Sequence, residues 1–274
     1  MSSVGAGRRS RARLLPLPAG AGLARMVLQR NATASRRSWL MLLSGVLEPV
    51  LYLFSLGVGI GALVGSVRTD AGQSVPYAVF VAPALLASSA MNGAIMDSTY
   101  NVFFKLRYAR LYDAMLATPM GPRDIAVGEI AWSLLRGAFY SALFLLVAAV
   151  AGVVPSLTGA VLALPAAVLV GFAFAAVGML ATTFMRSWVD FDLITLALQP
   201  MFLFSATFFP LSTYPAGLRW LVEATPLYHG VALERGLMLG EPLGGLWGHV
   251  VYLLVLGLLG LVGAARRLDG LLLR

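Results

Sequence analysis

The segment KLRYARLYDAMLATPMGPRDIAVGE, residues 105–129, is the longest strongly polar segment between apolar runs of the chain. Its first half predicts a short helix, because four apolar residues fall on or near one helical face: Leu106, Leu111, Met115 and Leu116. Thr118-Pro119 ends that helix, since proline lacks a backbone donor and disfavours the α conformation in the preceding residue. Pro122 is suited to the first turn of the next helix. The segment is either a solvated basic loop or a short helix across the mouth of a helical bundle, where a cytosolic partner docks.

The composition of the whole chain is that of an integral membrane protein. Only 12% of the 274 residues are charged, against about 25% in a typical soluble domain, and the mean hydropathy is +0.84. The net charge of +8 does not indicate nucleic-acid binding, because the basic residues lie beside apolar runs, as orientation signals do. The absence of cysteine excludes disulfides, thiolate metal sites and thiol nucleophiles, and two histidines are too few for a histidine metal cluster.

Six apolar runs are long enough to cross a bilayer. We therefore predict an all-α polytopic membrane protein with six transmembrane helices at Trp39–Val64, Pro76–Met96, Ile125–Val150, Leu157–Met185, Phe191–Phe209 and Leu246–Ala265. A tight turn separates the third and fourth runs, and Ser187-Trp-Val-Asp190 fits a capping box that opens the fifth.

The distribution of arginine and lysine predicts the orientation of the bundle. Sixteen basic residues fall on one side of a six-span bundle and three on the other. The more positive side faces the cytoplasm in most membrane proteins, so both termini are predicted to be cytoplasmic. The predicted organisation is a basic tail and surface helix over residues 1–38, a transmembrane domain over residues 39–265, and a cytoplasmic tail over residues 266–274.

The basic N-terminal region contains a helical pattern of its own. The periodicity of Leu23–Arg37 predicts a helix with Leu23, Met26 and Val27 facing inward and its arginines facing outward. A helix with such a basic polar face lies on a membrane surface rather than across it.

A long segment on the opposite side of the bundle, Pro210–Gly245, is not fully polar. Ala216–Ala224 and Leu227–Leu239 each predict a short amphipathic helix, and Thr225-Pro226 separates them. The segment is either an ordinary external loop or a pair of helices that dip into the outer leaflet, where irregular backbone is tolerated only if protein covers it.

Three charged residues inside the predicted spans are candidates for a pathway, because such charges usually face the bundle interior or water. Glu48 lies in the first half of span one, Asp97 lies near the inner end of span two, and Arg136 lies about three turns into span three. Glu48 and Arg136 lie at comparable depth, so we predict that they form an ion pair. A direct role in transport is the alternative, and Asp97 could instead reach the inner interface.

The sequence lacks the common nucleotide-binding and catalytic motifs. The only lysine, Lys105, follows Asn-Val-Phe-Phe, so no phosphate-binding loop can form around it, and this chain is not expected to hydrolyse ATP by that route. There is no H-E-x-x-H motif, no Gly-x-Ser-x-Gly motif and no carboxylate pair arranged for acid–base work. We therefore predict a non-enzymatic chain that binds no cofactor of its own.

Several stretches together resemble a known family. They are Glu48-Pro-Val-Leu-Tyr-Leu with Gly57-Val-Gly-Ile-Gly61, Tyr77-Ala-Val-Phe-Val-Ala-Pro83, Arg110-Leu-Tyr-Asp-Ala-Met-Leu-Ala-Thr-Pro119 followed by Gly128-Glu-Ile, Phe204-Ser-Ala-Thr-Phe-Phe-Pro-Leu-Ser212, and Thr225-Pro-Leu-Tyr-His229. In this order they resemble the permease subunit of an ABC-2 type exporter, in the branch of nodulation-factor (lipooligosaccharide) and daunorubicin-type drug exporters. Ala206 departs from the resemblance, because glycine is expected there, and the basic tail is longer than the family needs.

The resemblance implies a transporter of several chains in the cytoplasmic membrane of a bacterium. Two permease chains, identical or closely related, would form the pathway in the lipid bilayer, and two ATP-binding subunits holding ATP and Mg would dock beneath them. Leu106–Thr118 would be the coupling helix and Leu23–Arg37 a surface connecting helix. The implied docking residues are Leu106, Arg107, Arg110, Leu111, Asp113, Met115 and Thr118, and the implied outer gate comprises Phe209, Pro210, Thr225, Pro226 and His229.

The resemblance also implies outward transport of an amphipathic cargo: a drug, a glycolipid or a lipid-linked saccharide. A mostly apolar lining with a few polar residues fits such cargo, and the polar candidates are Ser88, Ser89, Asn92 and Gln199.

Two other functions are weighed against the exporter. A secondary transporter driven by an ion gradient needs carboxylates near the middle of the membrane and often has an internal repeat; Glu48 is the strong candidate carboxylate, and no clear repeat is found. A membrane enzyme acting on a lipid-linked substrate needs a cluster at one interface, for which the nearest candidates are Glu223, His229 and Glu234.

Overall fold

The structure, a computed structural model, describes residues 21–35 and 39–272 and is almost entirely helical over those ranges. The helices in chain order are α1 Ala21–Ser35, α2 Trp39–Phe54, α3 Gly61–Val64, α4 Tyr77–Met96, α5 Leu111–Leu116, α6 Pro122–Val150, α7 Leu157–Thr182, α8 Phe191–Leu203, α9 Ala216–Ala224, α10 Pro226–Met238 and α11 Leu243–Leu272. A π-helical turn, Ser55–Ile60, joins α2 to α3 without a break. A short antiparallel hairpin of β1 Ser66–Arg68 and β2 Ser74–Pro76 links α3 to α4.

Five of the described helical segments are long and apolar enough to cross a membrane: Val46–Val64, Tyr77–Tyr108, Pro122–Val150, Leu157–Thr182 and Leu243–Leu272. The prediction of an all-α polytopic membrane fold is therefore confirmed. The last helix is longer than predicted, because it continues beyond Ala265 and includes Arg266 and Arg267.

The predicted fifth span is the one that differs most from the structure. Its helix, α8, has 13 residues and ends at Leu203, not at Phe209. A helix needs about 20 residues to cross the hydrocarbon core. Pro200 lies three residues before the end, and the chain then turns into an irregular stretch in which Ala206 has a φ of 55°. The capping box that opens this helix is present, since the Asp190 carboxylate accepts the backbone N–H of Ser187 at 3.1 Å.

The second span is longer than predicted, and this changes the segment that follows it. Two π-helical stretches, Asp97–Asn101 and Phe104–Tyr108, carry the helix of α4 on to Tyr108. Leu106 and Arg107 therefore belong to the last turns of that helix and not to a separate coupling helix, as the prediction of Leu106–Thr118 had it. The break comes at Arg110, whose φ of 45° no regular right-handed helix contains.

The centre of the bundle consists of α4 and α7, which pack against each other and against α6 and α10. Small residues make the packing close, as is usual between helices in membranes. A side chain at Gly178 of α7 would collide with Ser98, and one at Gly260 of α11 would lie 2.8 Å from the backbone of Ala176. The helices α2 and α8 lie outside this centre, and within α8 only Phe191 is buried.

The two helices between α8 and α11 confirm the predicted pattern. The predicted Ala216–Ala224 coincides with α9, and α10 begins at Pro226 because Thr225 caps its N-terminus. The packing of α10 decides between the two alternatives for this segment. It is buried against α4, α7 and α11, so it is a covered helix within the bundle and not an ordinary external loop.

The N-terminal helix α1 packs on the start of α6. Ala24, Val27 and Asn31 are buried, so they form the inward face at helical spacing. Met26 was predicted to face inward, but it is 53% exposed because it lies on the opposite side of that face. Arg36 and Arg37, at the end of the predicted helix, lie outside the described residues.

Candidate transport cavity and docking surface

A cavity of about 370 Å³ lies between α2, α4, α6 and α8. All four polar residues predicted for a pathway line it: Ser88, Ser89, Asn92 and Gln199. They alternate with apolar and aromatic side chains, among them Tyr52, Tyr140 and Phe202. The wall therefore offers hydrogen bonds along part of its surface and aromatic faces along the rest, which suits a ligand with both polar and apolar parts.

Arg136, which lines the cavity, forms an ion pair with a different residue from the one predicted. Arg136 donates through Nη1 to Oδ1 of Asp97 at 2.9 Å and through Nη2 to the Tyr140 hydroxyl at 3.0 Å. The prediction that Glu48 pairs with Arg136 was wrong. The helix of α4 continues past Met96 as a π turn, so Asp97 stays within the bundle and reaches Arg136 instead of the interface. Arg136 keeps 27% of its side chain exposed, because one side of the pair is open to the cavity.

Glu48 also lines the cavity, and its side chain is exposed in the single chain. The surface around it on α2 is apolar, with Leu47 57% and Leu51 58% exposed. A charged side chain among lipid tails costs about 3 kcal/mol or more, whereas exposed leucines face lipid without penalty. Glu48 therefore marks a part of this surface that is covered by protein or water when the chain is in a membrane.

The predicted docking residues occupy the end of the bundle that carries α1 and α5. Arg107, Arg110, Asp113 and Thr118 are exposed, and Leu106 and Leu111 are half-buried. Arg107 also donates to the carbonyl of Met185 at 3.1 Å, which ties this surface to the end of α7. Met115 is buried with Tyr112 on the inward face of α5, so its side chain holds the helix against the bundle. Burial, together with the charge of the neighbouring Glu129, raises the pKa of the Tyr112 phenol.

The predicted outer-gate residues surround the corner between α9 and α10. The Thr225 hydroxyl lies 2.8 Å from that of Ser205, which joins the corner to the end of α8. His229 lies with its Nδ1 2.8 Å from Nδ1 of His249 and stacks on Tyr252, so the corner is also joined to α11. Phe209 is 57% exposed and Pro210 is buried at the adjoining irregular stretch.

Sequence reasoning missed two residues that hold this region in place. Arg235 is buried and donates to the Ala206 carbonyl at 2.9 Å and to the Phe80 carbonyl at 3.3 Å, with its guanidinium 3.9 Å from the centre of the Phe80 ring. Asp70, in the turn of the β-hairpin, accepts the backbone N–H groups of Leu211 and Ser212 at 3.0 Å each. Nothing in the sequence distinguishes Arg235 from an external charge, because its partners are backbone carbonyls far along the chain.

The three residues considered for a membrane enzyme do not form a site. Glu223 is exposed, and the ring of His229 is hydrogen-bonded to that of His249. Glu234 is fully buried in α10, and neither of its carboxyl oxygens has a hydrogen-bond partner among the described residues. The three side chains therefore share no common surface that a substrate could reach.

The architecture is that of a polytopic membrane protein with a partly polar cavity between its helices and a polar surface at one end. The sequence profile of the ABC-2 type transporter family matches residues 23–239, from α1 to the end of α10. The chain belongs to the ABC-2 type transporter family, as a permease component. The predicted resemblance is thereby confirmed.

The chain is also similar to several bacterial proteins called nodulation protein J. It is 33% identical to the one from Rhizobium leguminosarum bv. viciae over 258 residues, which cover 92% of this chain and 97% of the relative. It is 35% identical to the one from Rhizobium leguminosarum bv. trifolii over 226 residues, covering 82% and 84%. The one from Sinorhizobium fredii is 34% identical over the same shares.

Proposed function

We propose that this chain is the membrane-spanning subunit of an ATP-driven exporter that moves an amphipathic substrate outward across the cytoplasmic membrane of a bacterium. The observation that carries the proposal is the cavity between α2, α4, α6 and α8, because it combines amide and hydroxyl groups with aromatic walls and two charged side chains, Glu48 and Arg136. The substrate classes that fit are drugs, glycolipids and lipid-linked saccharides.

A second permease copy completes the pathway in this proposal. The cavity borders on the outer faces of α2 and α8, which expose large apolar side chains such as Leu51 and Leu196. Glu48 lies on the same side and cannot face lipid without a large penalty. A second copy placed against α2 and α8 covers Glu48 and joins two half-cavities into one path. The copy is the same chain or a close paralogue.

The energy source is a separate ATP-binding subunit that docks on α5 and α1. The exposed residues Arg110 and Asp113 offer charges for docking, and the half-buried Leu111 offers an apolar contact. The strained φ of Arg110 places α5 across the end of the long α4 helix, where a pushing partner reaches it. ATP and Mg bind to that subunit, and the orientation that follows places both termini in the cytoplasm.

The test is to purify the tagged chain from its native host in mild detergent and to identify soluble proteins that accompany it. The proposal predicts a stoichiometric partner with a phosphate-binding loop, and ATP-dependent movement of a fluorescent amphipathic substrate in vesicles that contain both proteins. The control replaces the partner's phosphate-binding lysine. An intact, monodisperse chain without such a partner, moving substrate on an ion gradient alone, would favour a secondary transporter.

A further inference from the structure

A buried polar cluster joins three separate parts of the chain at the end that carries α5. Lys105, near the end of the long α4 helix, forms an ion pair with Glu129 of α6, with Nζ 2.7 Å from Oε2 and 2.9 Å from Oε1. Asn31 of α1 donates from Nδ2 to Glu129 Oε2 at 3.0 Å and accepts from Lys105 Nζ at 3.1 Å. All three residues are less than one-tenth exposed.

The chemistry of this cluster requires a lysine. An ammonium group has three N–H donors, and Lys105 has three acceptors: the two carboxylate oxygens of Glu129 and the amide oxygen of Asn31. Arginine carries five donors in a longer, rigid fork, which fits three enclosed acceptor atoms less well than the compact ammonium group does. Of the 20 lysine and arginine residues in the chain, Lys105 alone is lysine.

A close contact seats α1 on α6 here, and Tyr112 of α5 belongs to the same buried core as Val27 of α1. A Cβ atom at Gly128 would lie 2.6 Å from Cβ of Val27 and 2.9 Å from the carbonyl of Ala24, so α1 rests directly on α6 one residue before Glu129. Tyr112 of α5 is fully buried, and the pKa of its phenol is raised by burial and by Glu129. Its hydroxyl forms no hydrogen bond within the described residues.

The Lys105–Glu129 pair and the Asp97–Arg136 pair join the same two helices. The helix that begins with α4 carries Asp97 and Lys105, and α6 carries Glu129 and Arg136 in antiparallel order. The two pairs therefore connect the same helices at two levels. Lys105 lies eight residues after Asp97, so the levels are roughly 12 Å apart along the helix. Arg136 of the second pair lines the cavity.

We propose that Asn31, Lys105 and Glu129 are positioning residues that make α1 and the facing ends of the α4 and α6 helices move as one body, with α5 seated on it through Tyr112. A displacement of α5 by a docked partner then reaches the Asp97–Arg136 pair through two rigid helices. This inference rests on the proposed function for its transport measurement, whereas its structural measurement needs the permease chain alone.

The decisive variant replaces both charges, Lys105→Met with Glu129→Leu. Exchanging a buried ion pair for apolar residues of similar size is often neutral for stability, so a purely structural role predicts normal transport once the chain folds. The positioning role predicts about a tenfold fall in substrate moved per ATP hydrolysed, with assembly of the folded complex retained. Thr33→Leu, on the exposed face of α1, is the matched control. Wild-type transport by the folded double variant would overturn the proposal.

The second measurement is independent of any partner. Because the chain has no cysteine, spin labels can be attached at Gln29→Cys of α1 and Arg123→Cys of α6, two exposed positions. The proposal predicts a narrow distance distribution that broadens in the Lys105→Met, Glu129→Leu background. An unchanged distribution would contradict it, even if no ATP-binding partner is found. If the double variant does not accumulate, Asn31→Leu takes its place, because it retains the ion pair. The proposal predicts that Asn31→Leu broadens the same distance distribution. An unchanged width would contradict the proposal.

Discussion

The two ion pairs between α6 and the helix that begins with α4 have similar lengths but differ in how enclosed one partner is. The Lys105–Glu129 pair is enclosed, with side-chain exposures of 11% and 3%, and Asn31 completes its hydrogen bonds. In the Asp97–Arg136 pair, Asp97 is buried but Arg136 lines the cavity and is 27% exposed. An enclosed and fully satisfied pair holds helices in register, whereas a pair at a cavity wall can exchange partners with water or a ligand. In the proposed function, this difference distinguishes the part that would transmit movement from the part that would meet the substrate.

The largest expected effect is the loss of one partner from the enclosed pair. Glu129→Leu leaves the Lys105 ammonium buried and unpaired, which should lower the free energy of unfolding by about 3–5 kcal/mol. Arg136→Leu should cost about 2 kcal/mol, because Arg136 borders the cavity and its shorter replacement lets water in to the Asp97 carboxylate. Unfolding by titration with a denaturing detergent measures both. Equal losses of unfolding free energy in the two variants would contradict the conclusion that the two ion pairs differ in their enclosure.

The next effect concerns transport through the cavity. Asp97→Asn keeps the size of the side chain but removes the charge that faces Arg136, so we expect transport to fall about tenfold while complex assembly is retained. Uptake of a fluorescent amphipathic substrate into inverted vesicles gives the rate. Asp269→Asn, in the last turn of α11 and away from the cavity, is the control. Normal transport by Asp97→Asn would remove this pair from the pathway.

The docking surface is tested separately from both pairs. Arg110→Ala with Leu111→Ala should reduce substrate-stimulated ATP hydrolysis by the complex about tenfold, since the partner loses a charge and an apolar contact. Arg110→Gly is the matched variant, because glycine adopts the φ of 45° without strain while it lacks the side chain. Loss in both variants assigns the effect to the side chain. Unaltered coupling in the double variant would contradict the docking assignment.

The smallest effect on stability is expected at Glu48. Its side chain is exposed and lines the cavity, so Glu48→Gln should change the free energy of unfolding by less than about 0.5 kcal/mol. Transport should nevertheless fall, because in the proposed pair of permease chains the carboxylate faces the joined cavity. Parallel measurements of unfolding and of substrate uptake distinguish the effect on stability from the effect on transport. A variant that folds and transports normally would exclude Glu48 from the pathway.

The sequence predicted most helices because apolar run length and proline position act locally. Spans one, three and four and both short helices α9 and α10 lie within a few residues of their predicted limits. The end of α8 was missed, since the irregular stretch after Leu203 is held by Arg235, which lies about thirty residues further along the chain. The glycine expected at position 206 has a physical reason, because that residue has a φ of 55°, where alanine is strained by about 1 kcal/mol.

The candidate site was predicted in its residue types but not in its pairing. The four polar residues predicted for the lining do line the cavity, because they interrupt apolar helical faces. The partner of Arg136 was not, since the π turn at Asp97 extends a helix that run length alone ends at Met96. The burial of Lys105 and Glu129 could not be predicted either, because the segment that contains them is polar by composition. The two side chains are enclosed only through tertiary contact with Asn31.

The most direct test of this account is the accessibility of single cysteines to a charged, membrane-impermeant thiol reagent, in a chain that has no cysteine of its own. Asn92→Cys probes the cavity wall, and Ala126→Cys, fully buried on α6 one turn before Glu129, probes the enclosed end. We expect the reagent to modify Asn92→Cys and an amphipathic substrate to slow this reaction. We expect Ala126→Cys to stay unmodified. Equal modification of both positions, or no protection of Asn92→Cys by substrate, would contradict it.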